Sequence, residues 1–156
     1  MINIRPALIN EWESAMALAW RTFQKFEAKE YTQEGVESFL DFISDETLKK
    51  MFIKGYYQLF LAVNEFDTIM GMISLREENH ISLLFVEEKL HHQGIGSSLI
   101  AYASEYVQKS LPIPRLDLTV HAAPMAIPFY EKCGFVPIQE MQEKNGIVYL
   151  PMKKEL

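Results

Sequence analysis

The sequence predicts a single mixed α/β domain, on three observations. Its 156 residues suit one hydrophobic core. Its apolar spacing switches repeatedly between the helical period and strand alternation. The resulting order, β-α-α-β-β-β-α-β-α-β-β, gives about six to seven strands and about four helices, with no internal repeat or linker to divide residues 1–156. An α+β arrangement with a mixed, mostly antiparallel sheet follows.

Ile2 to Arg5 alternates and stops at Pro6, as a short first strand would. From Asn10 to about Phe26, Trp12, Ala15, Met16, Ala19, Trp20 and Phe23 form one apolar helical stripe. Thr32 suits the N-cap of a second helix whose buried face is Val36, Phe39, Leu40 and Ile43. Asp45 to about Ile53 reads as a further helical piece ending near Gly55. Leu59–Val63 and Ile69–Leu75 read as a hairpin, and Ile81–Val86 as a third strand. A helix from Gly94 to about Lys109 stops before Pro112. Arg115–Val120 is a strand. Met125 to about Cys133 is a short helix closed by Gly134, which fits a left-handed C′ position. Phe135–Met141 and Ile147–Met152 close the chain as a hairpin turning at Asn145-Gly146.

Composition excludes several function classes. A net charge of -6 argues against a nucleic-acid partner, which would need a basic face. No apolar run approaches the roughly 20 residues of a membrane span, and the first residues lack a signal peptide's basic start and apolar stretch. One cysteine, Cys133, makes no internal disulfide, so a cytoplasmic location is expected. Its place before Gly134, with no base beside it in sequence, favours packing over nucleophilic chemistry.

The loop His91-His92-Gln93-Gly94-Ile95-Gly96-Ser97 lies between a strand and a helix. The first amides of a helix lack partners and carry the positive end of its dipole, which suits a phosphate. The same glycines would serve a tight turn alone. A P-loop would need Lys after Gly96, where Ser97 stands. A dinucleotide fingerprint would need Gly or Ala at Leu99, and Asp117 lies inside its strand rather than at its end. His91 and His92 are adjacent and have no further ligand at metal spacing, so no metal is expected.

Two blocks resemble the GNAT superfamily of N-acetyltransferases. Ile81–Val86 followed by His91–Ile100 is similar to the family's central strand and its Q/R-x-x-G-x-G/A loop. Leu118–His121 through Phe129-Tyr130-Glu131-Lys132-Cys133-Gly134-Phe135 is similar to its second motif, and Asn145–Met152 to its closing hairpin. The element order extends the likeness over the whole chain. The resemblance implies a GNAT-like fold whose splayed central strands form a cleft for acetyl-CoA. His91 departs from the usual Gln or Arg, Ala123 stands where many relatives place Asn or Ser, and Glu88 replaces a common proline.

The resemblance also implies a set of roles. Gln93, Gly94, Ile95, Gly96 and Ser97, with His91, His92 and Phe129, would hold the coenzyme. Main-chain groups of Phe85 and Val86, at a bulge in the central strand, would meet the pantetheine arm and the thioester oxygen. Tyr130 would donate to the leaving thiolate. A base must free the amine. His80, Glu78, Glu77 and Ser82 are the candidates near the central strand, with His80 and then Glu78 preferred. Alternation puts His80, Ser82 and Leu84 on one face.

The expected activity is transfer of an acetyl group from acetyl-CoA to a primary amine of a small molecule or peptide, by direct attack in a ternary complex. The alternative is a CoA-binding sensor without turnover. A homodimer is compatible with either.

Overall fold

A computed structural model describes residues 1–156. The chain runs through β1 (Asn3–Pro6), α1 (Trp12–Phe26), α2 (Gln33–Ile43), α3 (Glu46–Lys54), β2 (Gln58–Val63), β3 (Ile69–Arg76) and β4 (His80–Val86). It continues through α4 (Ile95–Lys109), β5 (Asp117–Ala122), α5 (Ile127–Lys132), β6 (Val136–Pro137), β7 (Gln142–Lys144) and β8 (Ile147–Glu155). The strands form one sheet in the order β1-β2-β3-β4-β5-β8-β6, with β7 also on β8. Only β4 and β5 run parallel. The mixed, mostly antiparallel sheet is therefore as predicted, with eight strands and five helices.

The extra strand comes from the tail. Where the sequence suggested one strand from Phe135 to Met141, β6 and β7 are separate pieces, and both pair with the long β8. Pro137 limits β6 to the sheet's edge, where a missing N–H breaks no ladder. The turn itself follows the sequence: Asn145 and Gly146 have φ of 53° and 79°, as a two-residue hairpin turn requires. Thr32 caps α2 by accepting from the Gly35 amide at 3.2 Å, and Gly134 ends α5 with φ 96°.

Each face of the sheet buries its own core. Under α4 and α5 lie Leu99, Ile100, Ala103 and Val107, packed on Ile73, Leu75, Leu118 and Val120. Under α1 to α3 lie Trp12, Ala15, Ala19 and Phe23, packed on Leu59, Leu61, Met72, Leu83 and Phe85. Each of the Leu, Ile, Val, Met and Phe side chains among these contributes about 1.5–3 kcal/mol when taken fully out of water. The two clusters hold the sheet rigid between them, and the only gap in its ladder lies between β4 and β5.

Candidate active site

The gap has an identifiable cause at each end. At the closed end, the buried Asn79 donates to the Asp117 carbonyl at 3.1 Å and to its carboxylate at 2.8 Å, which fixes where β5 begins. The Thr119 amide donates to the Asn79 carbonyl at 3.0 Å, and His80 Nδ1 lies 2.8 Å from Thr119 Oγ1. Beyond His80↔Thr119 and Ile81↔Val120 the parallel ladder stops. From there β4 follows β3 while β5 follows β8, so the two strands diverge.

A bulge in β4 adds to the divergence. Ser74 pairs with Leu83 but Leu75 with Ile81, leaving Ser82 as the extra residue. The buried Tyr57 hydroxyl, 2.7 Å from Ser74 Oγ and 2.9 Å from Ser82 Oγ, pins this irregularity. The bulge therefore sits at Ser82 rather than at Phe85 and Val86. It also interrupts the expected alternation. Ser82 faces the α1 side with Leu83 and Phe85, whereas Ile81, Leu84 and Val86 face α4.

The main-chain groups follow the same shift. The Glu87 amide donates to the Met70 carbonyl at 2.9 Å. Alternation along an antiparallel strand then turns Phe85 toward β3, where it pairs with Met72, and leaves Leu84 and Val86 facing the gap. Phe85 contributes its buried ring, and Val86 its open amide, its carbonyl being taken by His91.

At the wide end of the gap stands the glycine loop. No acceptor in the chain meets the amides of Gln93, Gly94, Ile95, Gly96 or Ser97. Five successive open donors at the start of a fifteen-residue helix suit an anion. The two glycines do different things. Gly94 has φ 81° and nothing around a Cβ position, so its need is backbone freedom. A Cβ on Gly96 would stand 3.0 Å from the Phe129 ring, so this glycine admits the contact between α4 and α5.

The remaining loop residues divide. Ile95 buries its side chain in the core, and its amide alone faces out. His91 Nε2 donates to the Val86 carbonyl at 2.8 Å while its ring rests on Phe26. Its side chain thus ties the loop to β4, and His92 and Gln93 stand exposed beyond it. Glu88 pairs with Lys25 at 2.6 Å and Glu87 with Arg21 at 2.7 Å, fastening the same segment to α1.

On the α1 side the gap opens into a cleft of about 460 Å³. One wall is aromatic. Tyr31, Phe23 and Phe39 stack in series, with centroids 5.5 Å and 4.0 Å apart, and Phe39 meets the edge of Phe85. Tyr130 lies between the walls, 6% exposed, and its hydroxyl has no partner within the chain. No buried side-chain polar atom is left unpaired, so that hydroxyl opens on the cleft. Burial and the nearby Glu27 charge push its ionisation well above the usual phenol range.

Glu27 is the side chain that the sequence did not single out. It lines the cleft at the C-terminal end of α1, and its side chain makes no ion pair or hydrogen bond. Burial, and then the neighbouring Glu30, raise its carboxyl to about 7. The negative end of the α1 dipole acts in the same sense.

The predicted bases fare differently. His80 lines the cleft, but burial, then Arg76 and His121, lower it to about 3, so it is neutral at pH 7. Glu78 is exposed in the β3–β4 turn at φ 73°, outside the cleft, and its charge is felt by Tyr106 of α4. Glu77 shares that turn, and Ser82 is engaged by Tyr57. Ala123 lines the cleft with no polar group, while His121 stacks on Tyr149 at 4.3 Å. Burial is what separates Glu27 from Glu78, and sequence spacing carries no sign of it.

Residues 27–156 match the acetyltransferase (GNAT) domain family. Among curated proteins, none matches the chain by sequence. Solved structures of similar fold include a GCN5-related N-acetyltransferase of Rhodopseudomonas palustris, at TM-score 0.82 and 24% identity, covering 99% of this chain and 95% of that one. The PaiA N-acetyltransferase of Thermoplasma acidophilum, solved with coenzyme A, aligns at TM-score 0.81 and 22% identity over 100% and 99% of the two chains. A mutant spermidine N-acetyltransferase of Vibrio cholerae aligns at TM-score 0.68 and 17% identity over 99% and 93%.

Proposed function

The chain belongs to the GNAT acetyltransferase family, and from that membership we propose that it moves an acetyl group from acetyl-CoA to a primary amine, both bound at once. One observation carries the reading. A single opening in the sheet joins five open amides at the start of α4 to an unpartnered tyrosine hydroxyl.

Acetyl-CoA brings an acyl carbon already activated as a thioester. The amides of Gln93 to Ser97 take its phosphates. That cradle fits: it is open, positive and free of side chains at Gly94. The Leu84 main chain and the Val86 amide are open to the pantetheine arm, and an N–H on the same edge receives the thioester oxygen as it becomes negative.

Glu27 accepts the proton of the incoming ammonium. At about 7 it is poised near neutrality, whereas His80 at about 3 holds protons too weakly to serve. Tyr130 stays protonated, and its raised phenol makes full proton transfer to a thiolate of pKa about 8.5 unfavourable. Its contribution is a hydrogen bond to the sulfur as negative charge collects there, and the proton released by the amine restores the thiol.

Thiol release from acetyl-CoA, followed across polyamines, amino acids, aminoglycosides and peptides, tests the proposal. Release with at least one amine is expected. Tight CoA binding with no release from any amine would reduce the chain to a CoA-binding module.

A further inference from the structure

Arg76 ends β3, opposite His80, and its half-buried side chain lines the cleft. It makes no ion pair and no hydrogen bond anywhere in the chain, although eight ion pairs form elsewhere. Lys144, from the hairpin, lines the same end and is also unpaired. The two imidazoles there, His80 and His121, are held toward their neutral forms and offer no counter-charge. The one carboxylate felt at that end is Glu77, exposed in the turn and outside the cleft. In a chain of net charge -6, a cleft end with two cations and no lining carboxylate is a departure from the rest of the surface.

The opposite end is reversed. Glu27 is the only carboxylate that lines the cleft, with Tyr130 beside it and the Phe23, Phe39 and Phe85 wall leading away. Arg76 pairs with His80 at the start of β4, whereas the Phe39 wall meets Phe85 near its end, so the two ends are separated by most of the strand. The long Arg76 side chain shortens that span for a ligand.

We infer that the acceptor is an amphoteric amine: a primary amine at Glu27 and Tyr130, an apolar body along the phenylalanines, and a carboxylate or similar anion on Arg76. This inference rests on the acetyl-transfer reading for the role of the amine, and on the cleft alone for the anion. A guanidinium is suited to a planar anion because its N–H groups match two oxygens at once. A polyamine, the substrate class named for one structural neighbour, would instead bring cations against Arg76 and Lys144. An α-amino acid is too short to reach both ends.

The test uses para-aminomethyl phenylpropanoate, its carboxamide and spermidine, with the wild-type chain and with Arg76→Gln and Arg76→Lys. Thiol release from acetyl-CoA is measured for each. Calorimetric binding of the carboxylate and the carboxamide to CoA-saturated protein is measured in parallel. The expected result is a kcat/KM at least tenfold higher for the carboxylate than for the carboxamide. Arg76→Gln should bring that ratio near one, and Arg76→Lys should leave it intermediate. Equal rates for the pair, or spermidine outrunning both and gaining further in Arg76→Gln, would overturn the inference. If no amine releases thiol but the carboxylate still binds in an Arg76-dependent way, acetyl transfer falls and the ligand class stands. If neither release nor Arg76-dependent binding occurs, the inference falls too.

Discussion

Glu27 and His80 sit in the same cleft, and burial moves both toward their neutral forms. For a carboxyl that means a rise to about 7, and for an imidazole a fall to about 3. We expect kcat to climb with pH through about 7 as Glu27 ionises, and Glu27→Gln to lower kcat and remove that limb. A limb that persists in Glu27→Gln would exclude Glu27 as the base. Stability should respond with opposite signs. The folded chain holds the Glu27 proton above its ordinary carboxylate range of 4.5, so this contribution is full below 4.5 and fades as pH rises to about 7. His80 binds its proton less well folded than unfolded, so its contribution is full above 6.5 and fades as pH falls toward 3. Urea unfolding of His80→Asn, which keeps a polar atom for Thr119, should therefore weaken less steeply with acid than the wild type. In the proposed role of Tyr130, Tyr130→Phe would remove one hydrogen bond to a charged sulfur, worth about 1.5–3 kcal/mol, or roughly 10- to 100-fold in kcat. CoA affinity should change little. An unchanged kcat, with chemistry rate-limiting, would take Tyr130 out of the reaction.

At the scale of elements, the glycines separate two kinds of constraint. Gly94 needs a positive φ in open space, so Gly94→Ala should cost about 1–2 kcal/mol and weaken CoA binding through the distorted loop. Gly94→Asn, better tolerated at positive φ, should recover part of both. Gly96→Ala instead presses on the Phe129 ring, and overpacking of this kind costs about 1–3 kcal/mol. Urea titrations and CoA binding of the three variants check the distinction; an unimpaired Gly96→Ala would remove the packing account. The sequence carried both glycines, the hairpin at Asn145-Gly146 and the cap at Thr32, because each is a local backbone requirement with its own residue type. It did not carry the bulge at Ser82. That irregularity depends on Tyr57, 17 and 25 residues before the two serines, meeting Ser74 and Ser82 across the core. The simple alternation of His80, Ser82 and Leu84 consequently failed at Leu84, and the open backbone moved from Phe85 to Leu84. Glu27 was hidden for the same reason: nothing local distinguishes a carboxylate at a helix end that tertiary packing will bury.

On the proposed reading, the two substrates would lie on opposite layers of one sheet. α4, with the amides of Gln93 to Ser97, would form the donor side, and α1 and α2, with Glu27 and the aromatic wall, the acceptor side. The order of elements was legible because each long helix and strand follows its own period, whereas the splitting of the tail into β6 and β7 depends on pairing with β8. The β4–β5 gap is the one place where both layers reach the same space, so binding on one side should be felt along that gap. CoA at about 100 times its Kd should add about 2.7 kcal/mol, which for a domain of this size raises Tm by roughly 5–10 °C. Hydrogen exchange gives the sharper test of where that free energy acts. The open amides of residues 93–97, and those of Leu84 and Val86, should gain most protection, while α3 on the far layer should gain little. A rise in Tm with no protection at residues 93–97 would place CoA elsewhere and detach the glycine loop from the donor site.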